Sequence, residues 1–206
     1  MKLFLASLAN QTLDRFVSEF SITKENFTIA YIDVAAETYP GALWVDKDKK
    51  VMKKMGLQYA HYDFKLKTKE QIIHELLKYD AIFVTGGNTY HLLNQINLSG
   101  YREAIKELLN NGKYYIGSSA GSCVMGPTIE HVKTLDHPEI VPELTDYTAL
   151  NLVPHLIVPH YGRDKYEGRH AKMKEIWGDK LTFLTDNQAI IVNGDKIEIV
   201  TNQGGL

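Results

Sequence analysis

The sequence predicts an α/β fold built on a mostly parallel sheet. Three observations predict it. Short apolar runs alternate with longer amphipathic ones along most of the chain. Two of the short runs feed glycine-containing turns that open helices, Thr85-Gly86-Gly87-Asn88 and Gly117-Ser118-Ser119-Ala120-Gly121. Near the end, Asn193-Gly194-Asp195 sits between apolar runs, a strong signal for an antiparallel hairpin.

In chain order, 3–7 reads as the first strand and 13–20 as a helix, followed by a strand over 27–32 that Asp33 closes. Tyr39-Pro40-Gly41 is a turn, 44–55 has helical periodicity, and 59–62 is a short strand. A helix over 70–77 precedes a buried strand over 81–84, and helical patterns follow at 89–95 and 101–110. Gly112 supplies a left-handed stop for the second of these. The strand over 114–117 runs into the second glycine turn. Five of the six prolines fall between 127 and 159, so 127–154 is expected to cross the sheet irregularly. A strand over 156–159 and a helix over 166–177 lead to an antiparallel tail of three strands, 181–184, 189–192 and 197–200. No linker or repeat interrupts the pattern, and a single domain over 1–206 is expected.

Composition narrows the function classes. The net charge is −2, with 23 basic and 25 acidic residues interspersed, unlike the basic footprint of a nucleic-acid binder. The dense run Lys47, Asp48, Lys49, Lys50, Lys53, Lys54 reads as the wet face of a helix. A single cysteine, Cys123, excludes an intramolecular disulfide and a cysteine-based zinc site. The amino terminus lacks the long apolar core of a secretory signal, and no run approaches the roughly 20 apolar residues that span a bilayer. A cytoplasmic setting is expected, with no cofactor, metal, nucleic acid or membrane as partner. A homodimer is left open.

Gly117-Ser118-Ser119-Ala120-Gly121 fits the G-x-S-x-G elbow, in which small neighbours let a serine occupy a tight strand-to-helix turn. The alternative is a glycine turn that packs a helix close to the sheet. An oxyanion hole needs two aimed amides, and Ala120, after the serine, and Gly87, in the first glycine turn, are the candidates. Among eight histidines, His160 follows a short apolar run and emerges at a strand end, with His155 as competitor. On a regular strand these two point to opposite faces, so only one faces Ser119. The orienting acid is Asp186 or, as alternative, Asp136.

Gly86-Gly87-Asn88-Thr89, Ser119-Ala120-Gly121-Ser122, Pro127-Thr128-Ile129, Ala149-Leu150-Asn151-Leu152 and Pro159-His160-Tyr161 together resemble the aspartyl dipeptidase (dipeptidase E) family of serine peptidases, with cyanophycinases as more distant relatives. The resemblance runs from about 80 to 195. It implies a three-layer fold similar to class I glutamine amidotransferases, small peptide substrates, Ser119 as nucleophile, His160 as base, and Gly87 and Ala120 as the oxyanion hole. The family's acid is a glutamate where this chain has the shorter Asp186, and Asp136 matches a family aspartate near the site. Asn88 and Asp136 are carried over as substrate-binding residues. The family's arginine for an N-terminal aspartyl side chain aligns with Arg169, and Arg163 offers a competing guanidinium. Two other readings stand beside this one: a glutaminase or amidotransferase on the same fold, which normally places cysteine at the elbow, and a non-catalytic binding module.

Overall fold

A computed structural model describes residues 1–204. Its main sheet has seven strands in the order β3-β2-β4-β5-β1-β8-β9. They are β1 (Lys2–Ala6), β2 (Thr28–Ile32), β3 (Gln58–His61), β4 (Ala81–Val84), β5 (Tyr114–Ser118), β8 (Gln188–Asn193) and β9 (Lys196–Thr201). The five strands from β3 to β1 run parallel; β8 is antiparallel to β1, and β9 to β8. A separate parallel pair is formed by β6 (Leu156–Tyr161) and β7 (Leu181–Thr185).

The helices are α1 (Leu13–Glu19), α2 (Leu43–Lys54), α3 (Lys69–Leu76), α4 (Thr89–Asn97), α5 (Tyr101–Asn110), α6 (Ala120–Cys123) and α7 (Glu167–Trp177). Their sides of the sheet follow from strand alternation. In β1, Leu3 and Leu5 enter the core shared with α3, α4, α5 and the 129–184 segment. Phe4 and Ala6 enter the opposite core, where α1 and α2 bring Leu13, Phe16, Val45 and Met52. With both faces covered, the inner strands must be apolar throughout, which explains the uniformly buried Ala81–Val84 run.

Two expectations change. The strand over 181–184 does not join an antiparallel tail; it pairs with β6 in parallel. The intervening α7 supplies the crossover that a parallel pair requires. The lysine-rich helix is not wet all round either, because Asp48 is fully buried within it. The 127–154 segment is irregular as expected, holding short 3-10 turns at Glu130–Thr134 and Pro138–Ile140 and one bridge between Thr128 and Thr148.

Candidate active site

Ser119 stands where β5 turns into α6, with φ 50° and ψ −108°. A non-glycine residue in that region is strained and persists only where its surroundings hold it. Here they do. The Ser119 amide donates to the Ala6 carbonyl at 3.0 Å, and the Ser122 and Cys123 amides both donate to the Ser119 carbonyl at 2.9 Å. The Ala9 amide donates to Ser118 Oγ at 3.0 Å, tying the end of β1 to the elbow. A Cβ on Gly121 would lie 2.1 Å from the Val84 carbonyl oxygen, so the helix reaches the sheet only because that residue is glycine. α6 is a single turn of four residues.

The second glycine turn lies against the first. A Cβ built on Gly86 would sit 3.2 Å from Ser119 Cβ, and the Gly86 carbonyl accepts the Trp44 indole N–H at 2.9 Å. Gly87 has φ +151°, and any Cβ there would meet the Ala35 carbonyl oxygen at 2.0 Å. The amides of Gly87 and Ala120 have no hydrogen-bond acceptor among the described residues, as an oxyanion hole requires.

His160 approaches Ser119 from β6. Its Nε2 lies 3.1 Å from Ser119 Oγ, and its Nδ1 lies 2.7 Å from Asp186 Oδ1. In the neutral tautomer with the proton on Nδ1, Asp186 accepts that N–H and Nε2 is free to accept the serine proton. The register of β6 shifts between Val158 and Tyr161, and His160 has φ 63°, so strict alternation with His155 does not apply. His155 instead pairs through Nδ1 with Thr182 Oγ1 at 3.0 Å. Three neighbours fix the His160 ring and backbone. Ser7 Oγ accepts the His160 amide at 2.7 Å and donates to Asp186 Oδ1 at 3.2 Å. Tyr166 stacks on the ring at 5.7 Å between centroids. His170, whose pKa burial depresses, contacts the Pro159 carbonyl through Nε2 at 3.2 Å, the neutral ring donating.

Asp186 lies in the turn between β7 and β8, with its Oδ2 accepting from Arg163 Nε. Burial works to raise its pKa, but the hydrogen bonds and charges of His160 and Arg163 outweigh that and hold it below the ordinary carboxylate value. Asp136 makes no hydrogen bond to the histidine among the described residues. Its Oδ2 accepts the Thr89 amide at 2.8 Å and the Thr89 hydroxyl, and burial raises its pKa against those bonds. Cys123 is buried at 1% exposure with its thiol pKa pushed well up by burial, and its S–H donates to the Ile157 carbonyl at 3.4 Å. That is a packed thiol, unlike an activated thiolate.

A cavity of about 450 Å³ opens over these groups, lined among others by Ser119, His160, Gly87, Asp136, Arg163 and Lys165. Two residues expected to bind substrate lie elsewhere. Asn88 is fully buried as the N-cap of α4, accepting the His91 amide at 2.8 Å and donating to the His137 carbonyl at 3.1 Å. Arg169 is outside the lining and donates to the Leu135 carbonyl at 3.2 Å, whereas Arg163 lines the cavity. Sequence reasoning passed over Ser7, Trp44 and Tyr166. Ser7 had a usable signal, since the carboxyl end of a parallel strand is where such sheets gather functional groups. Among the described residues, no group of three or more His, Cys, Asp or Glu is arranged to hold a metal ion.

The model of peptidase family S51 matches residues 3–200. The chain belongs to peptidase family S51. An uncharacterized peptidase of Pasteurella multocida is 32% identical over 206 residues, covering 99% of each chain. Peptidase E of a Nostoc species is 38% identical over 148 residues, covering 71% of this chain and 57% of its own. The crystal structure of a candidate Peptidase E from Listeria monocytogenes superposes with a TM-score of 0.91 at 29% identity, covering 98% of both chains. A peptidase from an acI-B1 actinobacterium shares the fold, with a TM-score of 0.67 at 12% identity. As a member of S51, this chain is a serine peptidase, a hydrolase acting on peptide bonds.

Proposed function

We propose that this S51 peptidase is a dipeptidase that works through an acyl-enzyme on Ser119. The observation that carries the reading is the hydrogen-bonded line from Ser119 Oγ through His160 to Asp186, at 3.1 and 2.7 Å. Ser119 Oγ attacks the peptide carbonyl carbon as His160 Nε2 takes its proton. Asp186 accepts the Nδ1–H throughout and stabilises the imidazolium that forms. The oxyanion of the tetrahedral intermediate receives the Gly87 and Ala120 amides. Collapse expels the amine of the second residue, protonated by His160 Nε2–H. Water, deprotonated by the same nitrogen, then releases the acyl group and restores Ser119.

Asp136 supplies the negative charge for the substrate's free α-ammonium, since it lines the cavity with one carboxylate oxygen held by Thr89. Recognition of an N-terminal aspartyl side chain is assigned to the cavity-lining cations Arg163 and Lys165, in place of Arg169. A fluorophosphonate tests the core of the proposal. Intact mass is expected to show one adduct on the wild type and none on Ser119→Ala, whose kcat on Asp-Leu falls by about 10⁴-fold or more. A wild-type protein that stays unmodified, or one alkylated only at Cys123 by a reactive glutamine analogue, overturns it.

A further inference from the structure

The cavity is charged unevenly. Asp136 belongs to the segment packed on one side of the main sheet, next to Val132 of that core. Lys47 belongs to α2, which packs on the other side through Val45 and Met52. Ser119 lines the same cavity from the sheet's carboxyl edge, where β5 turns into α6.

The placement of Lys47 is built into the fold. Asp48, next to it, is 1% exposed; its Oδ1 accepts from Asn10 Nδ2 at 2.7 Å and its Oδ2 from Tyr31 Oη at 3.0 Å and from Thr85 Oγ1. Those bonds pin the rotation of α2, and the Trp44 N–H to Gly86 bond pins it again beside the nucleophile. Leu43, Trp44 and Lys47 share a helix face by their spacing, and all three line the cavity. Lys49 spends its charge on Asp33 at 3.5 Å, but Lys47 has no acidic partner among the described residues. Gln11 lines the same end; its backbone carbonyl is held by Asn202 Nδ2 at 2.7 Å, while its side-chain amide has no hydrogen-bond partner among the described residues. A cation and an amide donor beside the apolar Leu8 and Leu43 suit a carboxylate attached to an apolar residue.

We propose that Lys47, assisted by the Gln11 side chain, binds the free C-terminal carboxylate of the substrate on the leaving-group side. This rests on the dipeptidase reading above and deepens it. A zwitterion held at Asp136 by one end and at Lys47 by the other spans Ser119 with its single peptide bond, so the substrate class is the free dipeptide. A blocked carboxyl loses the second anchor.

The test compares Asp-Leu with its C-terminal amide, in the wild type, in Lys47→Gln, and in Lys50→Gln on the same helix outside the cavity. The wild type is expected to favour the free acid in kcat/KM. Lys47→Gln lowers the acid-to-amide ratio about tenfold through KM, as for loss of one charge-assisted hydrogen bond, and Lys50→Gln keeps the wild-type ratio. A wild type with no preference for the acid overturns the subsite and leaves the dipeptidase reading standing. So does a ratio that collapses in Lys165→Gln while Lys47→Gln retains it. A wild type that cleaves neither substrate overturns both, and fluorophosphonate labelling of Ser119 then tells whether the serine is a reactive nucleophile.

Discussion

Arg163 and Ser7 hold Asp186 against His160. Aspartate is one methylene shorter than the glutamate that the dipeptidase E resemblance implies here, and its two oxygens are shared between His160 with Ser7 on one side and Arg163 on the other. The pKa consequence has a definite sign. A carboxyl held below its unfolded value contributes stability above that value, and the contribution is lost as pH falls through the depressed folded one. Arg163→Ala removes one cause of the depression. Urea unfolding is therefore expected to show the variant less stable than wild type at pH 7, with the difference shrinking as pH falls below about 4. An unchanged difference at pH 3 contradicts the assignment. Ser119, His160 and Asp186, which the structure brings together, stand out as candidates in the sequence because glycine spacing and strand ends mark such positions. The burial of Asp48 was not, since a lone acid inside a lysine run looks solvated until its partners Asn10, Tyr31 and Thr85 are brought to it from three other elements.

Among the elements, the elbow depends on close approach more than on propensity. Gly121→Ala puts a methyl 2.1 Å from the Val84 carbonyl oxygen, against backbone that cannot yield. A loss of about 3 kcal/mol or more is expected in urea unfolding. Gly168 on α7 has open space around it and an ordinary φ, so Gly168→Ala is expected to stabilise by about 0.5–1 kcal/mol. A Gly121 variant as stable as the Gly168 one removes the steric account. Most elements were readable from periodicity, and Asn193-Gly194 did mark the turn between β8 and β9. The strand over 181–185 was misassigned because an apolar run carries no record of its partner. Its pairing with β6 is decided by α7 between them and by the Phe183 ring meeting Tyr161 at 4.7 Å.

For the whole molecule, burial of β1, β4 and β5 between two cores predicts where opening is hardest. Native-state amide exchange is expected to be slowest in those strands and faster in the exposed β3 edge, whose residues are all exposed. Equal protection of β3 and β4 is the contrary result. The two sheets divide the proposed catalytic groups between them in a way the strand order alone does not convey. Ser119 and the paired amides ride on the seven-stranded sheet, while His160 rides on the two-stranded one, with no backbone ladder between the two among the described residues. In the proposed mechanism the proton's path from serine to imidazole is thus a joint between separately laddered bodies, seated by Ser7 and by side chains such as Cys123 reaching Ile157. On that mechanism, loosening of the smaller body disconnects Ser119 from His160 while the larger sheet is still intact, so turnover works as a gauge of how well the two are docked.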